Sequence, residues 1–189
     1  MRMAGTRRDE ILGIAAELFA ARGFHGVSVA ELGAACGMSG PALYKHFAGK
    51  DALLAEMLVS TSEELLAVGR VRVREAAGAA EAVSALVDWH ISFALEHRSM
   101  IVIQDRDWSA LPDEAREQVR TLQRKYVDLW SRALRAVHQD LKPLEAKARV
   151  HAAFGLLNST PHSALIPDGR MRSMLHEMAL AALWITADA

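Results

Sequence analysis

The apolar positions of this chain recur every three to four residues, which is the period of an α-helix. The first such stretch runs from Thr6 to Arg22, with apolar residues at Ile11, Ile14, Ala15, Leu18 and Phe19. Thr6 is suited to cap its start, with Asp9 three residues further on, and Gly23 is suited to end it. The pattern predicts a first helix over residues 6–22.

Two shorter helices follow, and each has its own start signal. Ser28 and Glu31 have the spacing of a capping box, which predicts a second helix over 28–36. Ser39 is placed to cap a third helix over about 40–46. Two short helices joined by a tight turn are the arrangement of a helix-turn-helix motif.

The glycines of this segment fit such a turn. Gly33 allows the two helices to cross closely, because a side chain there would stand between them. Gly37 permits a left-handed backbone conformation in the turn. The segment is therefore predicted to be a helix-turn-helix whose second helix presents its outer side to a partner.

The remainder of the chain has helical periodicity throughout. Helices are predicted over residues 50–76, 80–97, 99–108, 113–139, 143–160 and 169–187. Ala and Leu dominate the composition, whereas the 12 glycines and 5 prolines are few for 189 residues. These features predict an all-α fold of about nine helices.

Charge and cysteine content limit the setting in which the chain works. The net charge is −1, with a slight basic surplus before residue 50 and an acidic surplus after it, which fits a small cationic head on an acidic body. The single cysteine, Cys36, excludes an intrachain disulfide and favours the cytoplasm. No secretory signal or membrane-length apolar run is evident, so no membrane partner is predicted.

The sequence offers little support for an enzyme as the rival hypothesis. Asp105 and Asp107 are two residues apart and so do not share a helix face. The histidines lack the close spacing of a metal site, and neither a nucleophile elbow nor a phosphate-binding loop occurs. The chain is predicted to be no enzyme and to hold no metal and no cofactor. Cys36 is predicted to be buried beneath the turn, and a redox role is favoured only if its thiol is exposed.

Residues 6–54 resemble the DNA-binding domain of the TetR family of bacterial transcriptional regulators. The resemblance rests on Thr6-Arg7-Arg8, on Ala16–Phe19, on Arg22–Gly33, on Gly37–Phe47 and on Lys50–Leu54. It implies a three-helix helix-turn-helix domain over 1–50 and a helical effector-binding and dimerisation domain over 51–189. Residues 149–163 also resemble an actinobacterial branch of the family.

The resemblance implies which residues meet double-stranded operator DNA. Base edges in the major groove would face Ser39, Gly40, Pro41 and Lys45, with Ala42 placed for thymine methyl groups. Phosphates would be met by Ser28, Tyr44, His46 and Lys50. Arg2, Arg7 and Arg8 form a short basic arm, which either follows the DNA or is a solvated tail.

The resemblance also assigns the helical body to a small-molecule effector and to a second copy of the chain. Aromatic side chains with polar atoms suit an apolar pocket, and the predicted ligand set is Trp89, His90, Phe93, Trp108, Tyr126 and Trp130. The last two long helices would pair with their copies, through Phe154, Leu157, Met174, Met178 and Trp184. The polar run Asn158–Ser163 is interpreted as a helix end and turn, with ligand contact as the alternative.

Together these features indicate a homodimeric regulator. The most favoured hypothesis is a repressor that leaves a palindromic operator when a small hydrophobic effector binds. The alternative is a helical ligand-binding or catalytic protein whose DNA-binding head is vestigial.

Overall fold

A computed structural model describes residues 6–183, and over these residues it contains α-helices and no strand. The helices are α1 (Arg7–Arg22), α2 (Val29–Ala35), α3 (Gly40–Leu43), α4 (Lys50–Glu75), α5 (Ala79–Glu96), α6 (Arg98–Arg106), α7 (Asp113–Val137), α8 (Pro143–Leu157), α9 (Thr160–Ser163) and α10 (Asp168–Ala182). A 3₁₀ turn over Trp108–Ala110 follows α6. The predicted all-α fold is confirmed.

The helix starts agree closely with the predicted caps. The Thr6 hydroxyl accepts from the Asp9 amide, and the Asp9 carboxylate accepts from the Thr6 amide in return. Ser28 and Glu31 form the same reciprocal pair at the start of α2. The pKa of Glu31 is lowered to about 2, first by its hydrogen bond from Arg22 and then by those from Ser28. The two capping pairs join residues only three positions apart, and this is why sequence spacing could predict them.

Some helix ends differ from the predicted ones. The helix predicted over 40–46 ends at Leu43, and the amides of Lys45 and His46 instead make tight turns to carbonyls three residues back. The helix predicted over 143–160 ends at Leu157, and α9 begins at Thr160 with Pro161 in its first turn. The end predicted for the last helix, beyond Leu183, lies outside the described residues.

The described chain divides into two compact units. The first comprises the chain up to Thr61 together with Ser99–Val119, and the second comprises Ser62–Arg98 and the chain from Arg120 onward. The core of the first unit includes the fully buried residues Ile11, Phe19, Leu32, Leu53, Leu54, Leu58 and Ile103. The core of the second includes Leu86, Ile91, Trp130, Leu134 and Leu157. The predicted domains over 1–50 and 51–189 follow chain order and stay a prediction.

Within residues 6–183, no helix is both long enough and apolar enough to cross a lipid bilayer.

Candidate nucleic-acid interface and ligand region

The helix-turn-helix is held by a close approach of backbone to backbone. A Cβ atom on Gly33 would lie 2.9 Å from the Gly40 nitrogen and 2.9 Å from the Met38 oxygen. The Met38 amide donates to the Gly33 carbonyl at 2.8 Å, and Gly37 has a φ of +67° in the turn. Both glycines therefore have the roles expected of them. Gly33 has no room for a side chain, and Gly37 has a backbone conformation that other residues rarely adopt.

The short α3 has a buried side and an exposed side. Leu43 and the following Phe47 are each only 4% exposed and anchor the segment in the core of the first unit. Facing solvent are Ser39, Pro41, Tyr44 and Lys45, while Gly40, Ala42 and His46 are half-buried. The structure thus brings the predicted base-facing residues together on one short segment. Their contact with DNA stays a prediction.

The Ser28 hydroxyl is exposed but already engaged. It donates to the Glu31 carboxylate at 2.7 Å and accepts from the Glu31 amide at 3.2 Å. The Ser28 hydroxyl oxygen therefore caps α2, and a contact with phosphate would involve this same hydroxyl group.

Lys50 has partners within its own chain. Its Nζ donates to the carbonyl oxygens of Phe24 at 2.7 Å and Val27 at 2.8 Å, and it lies 4.3 Å from the centre of the Phe24 ring. The ammonium group therefore ties the start of α4 to the loop between α1 and α2. These hydrogen bonds give Lys50 a structural role, and its contact with DNA phosphates stays a prediction.

The basic arm is also used internally. Arg7 pairs with Glu10 and donates to the Cys36 carbonyl. Arg8 pairs with Glu56, donates to the His46 carbonyl and covers the Phe47 ring at 4.1 Å. Neither interpretation of the arm, as a DNA-following segment or as a solvated tail, describes these two side chains. Arg2 lies outside the described residues.

Cys36 lies beneath the turn, as predicted. The residue is 4% exposed, and burial raises the pKa of its thiol. A raised pKa keeps the sulfur protonated and unreactive, which speaks against the redox alternative.

Two residues that the sequence did not single out for this role attach to the DNA-binding segment within the first unit. Arg106, at the end of α6, donates to the carbonyls of Phe19 and Ala20 in the last turn of α1. The neighbouring Asp107 is 6% exposed and accepts from the Phe24 amide at 3.2 Å. These partners lie more than eighty residues away in the chain, so no local pattern could reveal them.

The ligand region predicted for the body contains a compact aromatic cluster in the second unit. His90 is stacked on Phe154, with ring centres 4.7 Å apart, and on Tyr126 at 5.9 Å. Trp130 meets both His90 and Phe154 edge-on, at 6.0 Å and 5.0 Å. Phe93 packs edge-on against His90, with ring centres 5.8 Å apart. Four of the six predicted ligand residues therefore come together.

A buried polar chain runs through this aromatic cluster. The His90 Nε2 donates to the Asn158 side-chain oxygen at 3.0 Å, so its Nδ1 accepts from the Tyr126 hydroxyl at 3.4 Å. Burial lowers the pKa of His90 to about 4, and the bond to Asn158 opposes this only in part. Burial also raises the pKa of Tyr126. The cluster is therefore neutral and apolar, with a few fixed polar atoms.

Trp130 leaves one polar atom of the cluster unsatisfied. Its indole N–H is close enough to Tyr126 to oppose the rise in the pKa of that phenol, yet it makes no hydrogen bond of regular geometry. A buried donor without a partner is costly, and a ligand acceptor would relieve that cost.

The other two predicted ligand residues lie elsewhere. The Trp89 indole is half-buried and donates to the Leu65 carbonyl at 3.2 Å. Trp108 begins the 3₁₀ turn and belongs to the first unit. By contrast, the polar run after α8 does reach the cluster, since Asn158 both ends that helix and binds His90. Thr160 is buried and donates to the Ala94 carbonyl at 2.5 Å.

The predicted dimer residues divide into two groups. Met174 and Met178 on α10 are 39% and 46% exposed, which is unusual for methionine. Leu157 differs from the prediction, because core packing buries it fully within its own chain. Phe154 is half-buried with its ring against His90, and its place in a dimer interface stays a prediction. Trp184 lies outside the described residues.

Known proteins with similar sequences and folds were compared with the chain. Residues 11–57 match the family of bacterial regulatory proteins called the tetR family, and residues 76–162 match the tetracyclin repressor-like C-terminal domain. The HTH-type transcriptional repressor KstR2 of Rhodococcus jostii is 28% identical over 155 residues, which are 82% of this chain and 76% of that protein.

Two solved structures share the fold. The regulator PfmR from Thermus thermophilus has a TM-score of 0.82 at 25% identity, over 95% of this chain and 97% of that one. AibR, solved with isovaleryl coenzyme A and operator DNA, has a TM-score of 0.75 at 24% identity, over 92% of this chain and 97% of that one.

Proposed function

Because the chain belongs to the TetR family of bacterial regulatory proteins, we propose that it is a homodimeric repressor that binds a palindromic operator in the cytoplasm and leaves it when a small hydrophobic effector binds. The DNA-binding head and the ligand-binding body are those of the family. The operator symmetry, the effector class and the sign of regulation are the parts that we propose.

The exposed side of α3 is the single observation that carries the proposal. Ser39, Pro41, Tyr44 and Lys45, on α3 and the residues flanking it, are exposed, while Leu43 is buried in the core. In a helix-turn-helix the second helix enters the major groove with its first residues nearest the bases. Lys45 is the strongest hydrogen-bond donor in this set and is suited to guanine.

A two-fold dimer would supply the second head. The exposed faces of α8 and α10 carry small or flexible apolar residues, namely Ala148, Ala152, Gly155, Met174, Met178 and Ala181. Small residues allow helices to approach closely, and two such pairs form a four-helix interface around a two-fold axis. Two recognition helices related in this way match a palindromic site.

The effector would use the aromatic cluster around His90. Its ring faces form an apolar wall, while Asn158, Tyr126 and the unsatisfied Trp130 N–H provide fixed polar atoms. AibR was solved with an acyl-coenzyme A, and we extend that ligand class to this chain. Effector binding would release the operator only by favouring a body conformation that fits DNA less well.

The operator proposal is tested by fluorescence anisotropy on labelled duplexes from the DNA upstream of the chain's own gene. Lys45→Ala should weaken operator binding by about 1–3 kcal/mol while changing binding to random DNA much less, because a base contact is lost. Lys125→Ala, which removes the same charge from an exposed position on α7, is the control and should bind both duplexes nearly as the parent does.

Equal losses on operator and random duplexes would remove Lys45 from base recognition. Absence of operator binding even at low salt would instead favour the alternative, a helical ligand-binding or catalytic protein with a vestigial head.

A further inference from the structure

A groove of about 340 Å³ lies between α7 and α8 in the second unit. Its walls carry Arg120 and Arg124 on one helix and Lys147 and His151 on the other, with Gln123 between them. Each pair is four residues apart, so its members lie one above the other on the same helix face. Two basic rows thus face each other across the groove.

The walls of this groove are richer in cationic side chains than the chain as a whole. Arg120, Arg124 and Lys147 carry cationic side chains, and Asp128 is the carboxylate among the described residues that line the groove. Asp128 is bound by Lys147 at 2.7 Å, and this hydrogen bond is the main reason that its pKa is lowered. The described lining therefore holds more cationic side chains than carboxylates, although the whole chain has a net charge of −1.

The groove adjoins the aromatic cluster along the same two helices. Val127, which lines the groove, is packed into the core beside Tyr126. On α8, Phe154 follows His151 by one turn and stacks on His90. Phe154 is only half-buried, and it is the ring of the cluster that lies on the same helix as Lys147 and His151 of the groove. Along α7 and α8, cationic side chains at the groove are thus followed by aromatic side chains at the cluster.

We propose that this groove binds the phosphate groups of an acyl-coenzyme A effector while the acyl end packs against the aromatic cluster. The inference rests on the proposed effector response and names its ligand class. Guanidinium groups bind phosphate oxygens in pairs, and lysine adds a point charge. A ligand that is polyanionic at one end and apolar at the other fits this succession of side chains, whereas a free hydrocarbon acid has no phosphate groups for the basic rows to bind.

The test is calorimetric titration of the full chain with coenzyme A, with isovaleryl-coenzyme A and with pantetheine, which lacks the phosphates. The parent should bind both coenzyme A compounds more tightly than pantetheine, with an affinity that falls as salt rises. Arg124→Gln and Lys147→Gln should each weaken coenzyme A binding by roughly tenfold or more, since a charged hydrogen bond to phosphate is lost. Lys125→Gln, on the same helix but outside the groove, should not.

Three results would each overturn the proposal. The first is coenzyme A binding by the parent that is no tighter than pantetheine binding, and the second is an Arg124→Gln variant that binds as Lys125→Gln does. The third is weaker operator binding by Arg124→Gln without any probe present, which would assign the groove to DNA phosphates. Operator binding by the parent is measured in parallel. If the parent binds operator but not coenzyme A, only the present inference fails; if it binds no operator, the proposed function fails and the titrations still decide the groove.

Discussion

His90 is a histidine held neutral by its surroundings. It is 3% exposed beside the rings of Phe154 and Tyr126, and its pKa is lowered to about 4 by burial. A free histidine titrates near 6.5. As the pH falls below about 6.5 the unfolded chain takes up a proton and the folded chain does not, until the pH nears 4.

The free energy of unfolding should therefore fall across this interval, by up to about 3 kcal/mol. Denaturant unfolding at a series of pH values, followed by tryptophan fluorescence, measures it. His90→Gln should flatten the dependence, whereas His151→Gln, at an exposed position, should leave it as in the parent. If His90→Gln retained the full slope between pH 6.5 and 4, another group would be responsible.

Replacing Gly33 by alanine adds a single methyl group at the closest approach within the turn. Alanine normally favours a helix over glycine by about 1 kcal/mol. At Gly33 the sign should reverse, because the added Cβ would meet two backbone atoms of the turn at 2.9 Å. Gly33→Ala should lower stability by about 1–3 kcal/mol and weaken operator binding.

Gly13→Ala is the matched control, since nothing lies within 4 Å of a Cβ built on that glycine of α1. Thermal unfolding should show Gly13→Ala unchanged or stabilised and Gly33→Ala destabilised. Similar melting temperatures for the two variants would show that the turn adjusts at little cost.

The helices of the first unit are joined by charged side chains bound to carbonyl groups. Lys50 at the start of α4 binds the Phe24 and Val27 carbonyls, and Arg106 at the end of α6 binds the last turn of α1. A cation at a helix C-terminus also meets the negative end of the helix dipole. The position of the recognition segment therefore depends on α4 and α6 as well as on its own turn.

Substitution of Lys50 tests its contacts with the loop between α1 and α2. Lys50→Met should destabilise the chain by about 1–3 kcal/mol, because two charged hydrogen bonds to carbonyls are lost. Operator and random DNA should both be bound less tightly, with the salt dependence of binding nearly unchanged. A phosphate contact by Lys50 would give a different result, namely a salt slope lower by about one unit at unchanged stability. Anisotropy titrations over a salt series, with parallel thermal unfolding, separate the two.

At the scale of the whole molecule, DNA binding by the proposed dimer depends on the faces of α8 and α10. Met178 is 46% exposed on α10. Met178→Glu should raise the dimer dissociation constant by at least about 100-fold, since an unpaired buried charge costs about 3–5 kcal/mol. Operator affinity should fall with it, because one half-site alone binds weakly.

Sedimentation velocity measures this dissociation, and circular dichroism confirms that the fold survives. Ala136→Glu places the same charge on an exposed position of α7, outside the proposed interface, and should remain dimeric. A folded Met178→Glu variant that sediments as the parent does would exclude this part of α10 from the interface.

Features that arise between near neighbours in the chain could be predicted from the sequence. The Thr6 and Ser28 caps, the left-handed Gly37 and the helical periods all depend on residues within about four positions of one another. The residues around the turn also sufficed for the family resemblance. The same local reasoning overextended the third helix, because it could not detect that the amides after Leu43 make tighter turns.

The contacts between side chains far apart in the chain could not be predicted in this way, because they depend on how the helices pack. The bonds from Asp107 to Phe24 and from His90 to Asn158 span 83 and 68 residues. Periodicity shows that a side chain faces inward, but it does not show which helix it will meet there. Leu157 and Phe154 illustrate the limit: both lie on an apolar helix suited to a dimer, yet core packing turns Leu157 fully inward and Phe154 onto His90. Burial depends on how the helices pack, and packing is a property of the whole fold.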